Sequence, residues 1–229
     1  MIRGVNAKQA AAEKAVEFVR DGMVLGLGTG STVQFALDKI AQRVREGLRV
    51  QGVPTSLRTE VSSRELGIPL LSLEKVSEID LTIDGADEVD PQFAMIKGGG
   101  GALLREKIVA SITREEVIVV GRDKLVEKLG AKFLLPVEVL PFGWKPAAAA
   151  LEKLGSAPYL RKTPEGETFV TDNGNYILDC RFGPIEDAAA LEAEVDRIPG
   201  VLECGLFVGL ADRLVIGDED GAVEVREAP

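Results

Sequence analysis

Residues 23–44 read MVLGLGTGSTVQFALDKIAQRV, an apolar run that passes through a glycine-rich turn into a segment with helical spacing. Residues 23–27 predict a short buried strand, and residues 33–44 predict a helix. Between them, residues 28–32 (GTGST) offer backbone N–H groups and hydroxyls at a helix N-terminus, which suits a phosphate group. The alternative is a tight strand-to-helix turn that binds nothing. The stretch matches neither GxGxxG, because its third glycine comes one position early, nor the GK[ST] of a P-loop.

The same alternation of strands and helices continues through the first two-thirds of the chain. It predicts an α/β fold with an open, mainly parallel, Rossmann-like sheet. Ligands bind such sheets at the carboxyl ends of the strands, where the glycine-rich and acidic motifs of this sequence fall. The predicted helices are 7–18, 33–44, 58–66 and 102–111, and the predicted strands are 23–27, 49–53, 70–71, 81–83 and 116–120.

From about residue 133 the pattern changes to closely spaced strands. It predicts a second, smaller α+β domain of ferredoxin-like type. Late strands at 206–210 and 213–216 are expected to return to the first domain. The predicted division is therefore a catalytic α/β domain of residues 1–131 and 204–229, and a smaller domain of residues 132–203 that serves oligomerisation. The predicted strands of the smaller domain are 133–140, 159–163, 168–171, 176–181 and one from Val201, and its helices are 147–154 and 185–197.

Composition places the chain among ordinary globular proteins. It has 229 residues, of which 45% are hydrophobic and 28% charged. Its apolar runs fall short of the roughly 20 residues that span a bilayer, and its first residues lack the apolar stretch of a signal peptide, so we expect a cytoplasmic protein without a membrane partner. Cys180 and Cys204 show no metal-ligand spacing and are expected to be small buried side chains.

Net charge and histidine content limit which ligands and which catalytic groups the protein can use. A formal net charge of −10 argues against nucleic-acid binding, so an anionic substrate has to be captured by local charge. The chain contains no histidine, which removes the commonest general base and the commonest metal ligand. Proton transfer must then use Asp, Glu or Lys, and only a carboxylate site for a hard cation is left as a metal option.

A second glycine-rich motif occupies residues 97–106, KGGGGALLRE. Four consecutive glycines between a lysine and a predicted helix leave backbone N–H groups that can surround an anion. A turn needs one or two glycines, although a flexible surface loop is the alternative. Glu106 follows in the helix, where spacing alone also allows an ordinary exposed residue. Lys124, after the strand at 116–120, is either a ligand-binding cation or a solvated surface side chain.

Residues 84–90, DGADEVD, place four acids directly after an apolar strand. A solvated acidic turn is one interpretation. A calcium loop is another, but the glycine is in the second position and does not fit the EF-hand pattern. The closeness of Lys97 and its glycines favours a third interpretation, in which carboxylates transfer protons on a small phosphorylated substrate, without a metal or a redox cofactor.

Taken in order, GTGST at 28–32, DGADE at 84–88 and KGGGG through REK at 97–107 resemble the signature of the ribose-5-phosphate isomerase type A family. The resemblance implies an aldose–ketose isomerase that interconverts D-ribose 5-phosphate and D-ribulose 5-phosphate in the pentose phosphate pathway, without a cofactor and as a homodimer. Chain length and domain pattern agree beyond the motifs.

By matching positions, the resemblance implies that Glu106 is the general base that moves a proton between C1 and C2 through an enediolate. Ring opening and proton movement between the oxygens would be assisted by Asp84, Asp87 and Lys97. The match does not show which of these steps each residue assists. The resemblance also implies a set of substrate-binding residues, namely Lys8, Thr29, Gly30, Ser31, Thr32, Gly85, Ala86, Gly98, Gly99, Gly100 and Lys124. Of these, Lys8 matches the family pattern least closely.

The chemistry of proton transfer next to a carbonyl agrees with that assignment. Removing a hydrogen from a carbon next to a carbonyl needs a base and stabilisation of the charge that develops on oxygen, which Glu106 and Lys97 with loop N–H groups can supply. Two other functions stay open from the sequence. One is a module that senses a phosphosugar without turnover, which would need no base at position 106, and the other is an isomerase of a different sugar phosphate.

Overall fold

The computed structural model describes residues 7–229. Its helices, in chain order, are α1 (Ala7–Val16), α2 (Ser31–Arg45), α3 (Leu57–Glu65), α4 (Leu103–Ser111), α5 (Trp144–Lys153) and α6 (Ala188–Val195), with short 3₁₀ turns at Leu73–Lys75, Arg122–Lys124 and Pro141–Gly143. Its strands are β1 (Val24–Leu27), β2 (Gln51–Pro54), β3 (Leu81–Asp84), β4 (Glu88–Val89), β5 (Met95–Ile96), β6 (Glu116–Gly121), β7 (Leu135–Val139), β8 (Ala157–Leu160), β9 (Tyr176–Arg181), β10 (Val201–Cys204), β11 (Leu206–Phe207), β12 (Arg213–Gly217) and β13 (Val223–Glu227).

The chain forms two compact units. The first comprises Met1–Ala86, Arg105–Leu125 and Leu210–Pro229, and the second comprises Asp87–Leu104 and Val126–Gly209. The second unit is wider than the segment 132–203 expected from the sequence. It includes residues 87–104 because β5 pairs with β4 and with β11, which ties both neighbouring segments into this unit.

The first unit is built on a six-stranded sheet in the order β13-β12-β6-β3-β1-β2. All pairs are parallel except the edge pair β12–β13. Numbered along the chain, the five parallel strands lie in the order 2-1-3-4-5, which is the doubly wound arrangement of flavodoxin type. The strand order reverses between β1 and β3, so the loops after these two strands meet at the position where such sheets bind ligands.

Helices α1 and α2 cover one part of this sheet with a continuous apolar core. Ala11, Ala12 and Ala15 are fully buried on α1, and these small side chains allow a close approach to the strands. At the end of β12, a Cβ added to Gly217 would lie 2.1 Å from the carbonyl oxygen of Ala7. The absence of a side chain at Gly217 is therefore what lets α1 begin directly against β12.

The second unit contains the predicted ferredoxin-like arrangement, with the element order β7-α5-β8-β9-α6-β10 and the sheet order β10-β7-β9-β8. Its core lies between this antiparallel sheet and the two helices. The fold class predicted from the sequence, a mainly parallel α/β sheet with a smaller α+β domain, is confirmed.

Some predicted strands differ from the structure. The segment 168–171 forms no strand and only one bridge, between Thr168 and Lys162. Residues 206–210 were expected to rejoin the first domain, but β11 pairs with β5 in the second unit, whereas β12 does join the first sheet beside β6. In the described part of the chain, no helix is both long and apolar enough to span a bilayer.

Candidate active site

The loop after β1 brings a helix terminus, a hydroxyl and a cation together in the first unit. Residues 28–32 lead into α2, whose N-cap is Gly30 with a φ of 136°, a backbone conformation that favours glycine. From the first turn of α1, the Lys8 ammonium donates a hydrogen bond to the Ser31 hydroxyl at 3.3 Å. Lys8 and Ser31 are both exposed. The positive end of α2 and the Lys8 charge therefore favour an anion at this point.

Thr29 turns its hydroxyl toward other hydroxyls of the protein. Its Oγ1 lies 2.8 Å from both Thr55 Oγ1 and Ser56 Oγ, and 3.2 Å from Thr59 Oγ1. Thr59 Oγ1 in turn donates to the Gly28 carbonyl at 2.8 Å, which ties the cluster to the loop. Thr55, Ser56 and Thr59 were not predicted from the sequence as residues of the site. The available signal was their position after β2, with Ser56 capping α3 by accepting from the Thr59 N–H.

Asp84 joins the acidic motif to the same loop. It is the last residue of β3 and is 1% exposed. Its Oδ1 accepts hydrogen bonds from the N–H groups of Thr29 at 3.0 Å and Gly85 at 2.7 Å. A Cβ added to Gly28 would lie 2.2 Å from that oxygen, so glycine is required there. The carboxylate is thus held in a fixed position where the strand order reverses, with Gly85 and Ala86 following it in the chain.

Glu106 lies in the first turn of α4 and is 6% exposed. The alternative of an ordinary exposed helix residue is therefore wrong. A carboxylate in the first turn is stabilised by the helix dipole, and burial shields it from bulk water. Both conditions suit a side chain that has to take up and return a proton.

Lys124 follows β6, the strand that pairs with β3, and is half-buried within the 3₁₀ turn Arg122–Lys124. The neighbouring Arg122 forms ion pairs with Asp218 and Glu224. The pKa of the Asp218 carboxyl is lowered by its hydrogen bond to Arg122. Both cations of this turn lie at the carboxyl end of the sheet. Arg122 is held in the ion pairs with Asp218 and Glu224, whereas Lys124 is not part of that network.

The remaining predicted residues lie in the second unit, where Lys97 directly follows β5 and is 2% exposed. Its backbone N–H donates to the Gly205 carbonyl at 2.9 Å, and its ammonium lies 5.3 Å from the centre of the Phe207 ring. The face of an aromatic ring attracts a cation and partly offsets the cost of burying it. Lys97 is therefore held by its backbone and its side chain.

The glycine loop after Lys97 has a defined conformation. Gly98 has a φ of 102° and Gly101 a φ of 79°, and the Gly101 N–H donates to the Gly98 carbonyl at 3.0 Å. The Gly99 N–H donates to Asp87 Oδ2 at 2.7 Å. Gly99 and Gly100 are exposed. The structure therefore brings Asp87 and the glycine loop together.

The structure separates the four acids of residues 84–90 by their contacts. Glu88, 1% exposed, accepts hydrogen bonds from the backbone N–H groups of Gly130, Lys132 and Phe133. Asp90 Oδ1 accepts from two N–H groups of the turn that follows it. Glu88 and Asp90 thus shape the backbone, whereas Asp84 and Asp87 contact the two glycine-rich loops.

Within residues 7–229, one group of side chains offers three potential metal-ligand atoms within 4.8 Å of one another, namely those of Glu192, Glu203 and Cys204. It lies on α6 and β10 of the second unit and includes none of the predicted site residues. Glu203 Oε1 already accepts a hydrogen bond from the Cys204 N–H at 2.9 Å.

Comparison with known proteins agrees with this geometry. A sequence profile described as ribose 5-phosphate isomerase A (phosphoriboisomerase A) matches residues 51–221. The chain belongs to the ribose-5-phosphate isomerase A family. Ribose-5-phosphate isomerase A of Gloeobacter violaceus is 58% identical over 219 residues, which cover 95% of this chain and 94% of that protein.

Solved structures of the family have the same fold. Ribose 5-phosphate isomerase A of Methanocaldococcus jannaschii matches with a TM-score of 0.92 and 40% identity, over 96% of this chain and 98% of that one. A second structure, of a D-ribose-5-phosphate isomerase in complex with phospho-erythronic acid, matches with a TM-score of 0.93 and 38% identity, over 96% and 97% of the two chains. Membership in the family makes this protein an isomerase.

Proposed function

We propose that this protein interconverts D-ribose 5-phosphate and D-ribulose 5-phosphate through an enediolate, as an aldose–ketose isomerase of the pentose phosphate pathway. The observation that carries the proposal is the buried carboxylate of Glu106 in the first turn of α4, directly after the Lys97 glycine loop. In a chain without histidine, a carboxylate is a suitable group for this proton transfer. Phospho-erythronic acid in a related isomerase supports a phosphorylated acid of this size as a ligand.

In the proposed reaction, Glu106 removes the proton from C2 of the open-chain aldose and returns it to C1, while a second proton moves from the oxygen on C2 to the oxygen on C1. The negative charge that develops on these oxygens is stabilised by the Lys97 ammonium and by loop N–H groups. Asp84 and Asp87 assist ring opening and the transfer between oxygens. The phosphate is bound at the N-terminus of α2 with Lys8 and Ser31, where a cation and a helix dipole favour it.

A coupled assay on ribose 5-phosphate tests the proposal. In Glu106→Gln, which preserves shape and removes the base, we expect kcat to fall by about 10²–10⁴ with KM changed little. Glu116→Gln is the matched control, since Glu116 is also buried, at 3% exposure, but begins β6 at the opposite edge of the sheet. Absence of isomerase activity in the wild-type protein, or wild-type turnover in Glu106→Gln, would refute the assignment.

Isotope transfer tests the mechanism. Substrate deuterated at C2 and turned over in ordinary water should give a product with part of the label at C1, because the protonated carboxyl exchanges with solvent. A direct hydride shift would retain nearly all the label and normally needs a metal to polarise both oxygens. Quantitative retention under slow turnover would contradict the enediolate.

We also propose that the protein is a cytoplasmic homodimer, as the resemblance implies. Exposed apolar side chains of the second unit support a role for that unit in the contact between copies. Phe142 is fully exposed, and Leu140 and Leu202 are 45% and 40% exposed. Burying such side chains against a second copy would remove apolar surface from water.

A further inference from the structure

Arg161, which directly follows β8, has its guanidinium group fixed by Asp179 on β9. Its Nε donates to Asp179 Oδ2 at 2.8 Å, and its Nη2 donates to Oδ1 of the same carboxylate. The side chains are 13% and 19% exposed. A two-point contact between a planar guanidinium and a carboxylate sets the orientation of both groups, and limited exposure reduces competition from water.

The third nitrogen of this guanidinium reaches the Lys97 glycine loop. Nη1 donates to the carbonyl oxygen of Gly98 at 2.9 Å and lies 3.3 Å from that of Gly99. One cation therefore holds two consecutive carbonyl groups of the loop on the same side. These carbonyls belong to the peptide groups that carry the N–H groups of Gly99 and Gly100.

This contact determines where the loop N–H groups point. In a trans peptide the C=O and the N–H lie on opposite sides, so fixing the Gly98 carbonyl toward Arg161 directs the Gly99 N–H away from it. That N–H donates to Asp87 Oδ2 at 2.7 Å. A continuous series of contacts thus runs from Arg161 through one peptide group to the Asp87 carboxylate.

Phe169 adds a contact at the far end of the loop. Its N–H donates to the Arg161 carbonyl at 3.0 Å, and its ring lies 5.7 Å from the Arg161 guanidinium carbon. A Cβ added to Gly101 would lie 2.5 Å from the Phe169 ring, so the ring lies against the loop backbone. The chain beyond Phe169 is fixed by the buried Glu138 carboxylate, which accepts hydrogen bonds from Thr171 and Asn175.

We propose that Arg161 is a positioning residue, which orients the peptide groups of the Lys97 glycine loop and, through the Gly98–Gly99 peptide, the Asp87 carboxylate. This inference rests on the proposed isomerase function, in which Asp87 assists proton transfer and the loop N–H groups bind the substrate. Glycine peptides rotate with little steric resistance, so without Arg161 the Gly98 carbonyl keeps only its hydrogen bond from the Gly101 N–H, and the Gly99 carbonyl loses its contact with the guanidinium. Arg161 acts on the reaction only through the loop and does not touch the substrate.

The test compares Arg161→Met with Arg213→Met in the coupled assay on ribose 5-phosphate. Arg213 is a matched control because its guanidinium is also ion-paired, with Glu115 and Glu227, and also lies over an aromatic ring, that of Phe18 at 4.6 Å. It begins β12, at the amino edge of the first sheet, away from the loops that carry the site. We expect kcat to fall about tenfold to a hundredfold in Arg161→Met, as for a misplaced catalytic group, and to change less than about twofold in Arg213→Met.

A double-mutant cycle with Asp87→Asn distinguishes positioning from general structural support. If Arg161 acts through Asp87, Arg161→Met should cost less than about threefold in kcat when Asp87 is already Asn, because coupled residues are not additive. Equal losses in the two backgrounds, or a wild-type kcat in Arg161→Met, would overturn the inference.

Arg161→Lys keeps the experiment decisive if the Met variant does not fold. A lysine keeps the charge but cannot contact Asp179 at two points and both carbonyls at once, so kcat should fall while the circular dichroism spectrum stays that of the wild type. A folded Arg161→Lys with wild-type kcat would count against the role. An active wild type with unaffected Arg161 variants refutes only the positioning role, whereas an inactive wild type refutes the proposed function and this inference with it.

Discussion

Replacing Gly99 by alanine would place one methyl group against the Asp87 carboxylate. The added Cβ would lie 2.7 Å from Asp87 Oδ1, 2.9 Å from Oδ2 and 2.9 Å from the Phe133 ring. The backbone at Gly99 does not have a positive φ, so alanine introduces no backbone strain there. The three nearest atoms all belong to side chains, and the substitution therefore tests the position of Asp87 while the loop backbone can stay in place.

The size of the effect follows from these distances. Ordinary van der Waals contact begins at 3.4 Å, so the nearest carboxylate oxygen has to retreat by about 0.7 Å (3.4 − 2.7). The other oxygen, Oδ2, accepts the Gly99 N–H at 2.7 Å and has to retreat by about 0.5 Å (3.4 − 2.9), which stretches that hydrogen bond toward the limit of hydrogen bonding. A hydrogen bond to a charged group contributes about 1.5–3 kcal/mol. If that free energy is lost from the transition state, kcat falls by about 10- to 150-fold.

The assay is steady-state turnover of ribose 5-phosphate, with thermal unfolding measured on the same samples. Gly143→Ala is the control, because Gly143 has a φ of −104° and an added Cβ would come no closer than 3.7 Å to another atom. We expect its kcat to stay within about twofold of the wild type. A folded Gly99→Ala variant with wild-type kcat would show that turnover does not depend on where Asp87 is held.

Four further predictions concern the rest of the molecule. Activity should survive treatment with EDTA, and loss with recovery on adding a divalent cation would contradict a metal-free reaction. Burial raises the pKa of the Cys180 thiol to about 12, so iodoacetamide at pH 8 should label Cys180 after denaturation but not in the native protein, as checked by mass spectrometry. The hydrogen bond from Arg122 lowers the pKa of the Asp218 carboxyl below its ordinary 3.8. Pairing of the two groups therefore stabilises the folded protein above pH 3.8, and this stabilisation is lost as the pH falls through the lower pKa of the folded state. The Tm difference between wild type and Arg122→Met should accordingly shrink between pH 7 and pH 3. Light scattering at micromolar concentration should give the mass of a dimer, and a monomer would contradict the proposed homodimer.

Strong periodicity made the larger elements predictable. The strand at 176–181 has the predicted bounds, and the helix at 33–44 extends by only a few residues, from Ser31 to Arg45. The two-residue strands β4 and β5 were missed, and the strand predicted at 206–210 was assigned to the wrong unit, because two residues carry no periodicity and their pairing depends on distant partners. Strand β13 was also missed, since only its antiparallel pairing with β12 identifies it as a strand.

The site was predictable as a set of motifs but not as a set of contacts. The sequence could not show which of the four acids in residues 84–90 belong to the site and which bind the backbone. Their roles depend on N–H groups far along the chain, such as those of Gly130 and Phe133, which donate to Glu88. Burial of Glu106 was equally hidden, as its neighbours Arg105 and Lys107 are typical of a helix surface. Arg161 gave no local signal, since its contacts with the Gly98 and Gly99 carbonyls join segments more than 60 residues apart in sequence.

The first sheet pairs strands from distant parts of the sequence, which has a consequence for folding during synthesis. Strand β12 lies between β6 and β13, and Gly217 packs directly against Ala7 at the start of α1. Helix α1 is therefore synthesised long before β12, the strand that completes the surface against which α1 packs. The second unit contains no residue beyond Gly209 and can complete its own core earlier. Pairings over such long sequence separations form slowly, so the nascent chain should pass through a stage in which α1 and the edge of β6 are unprotected and open to chaperone binding.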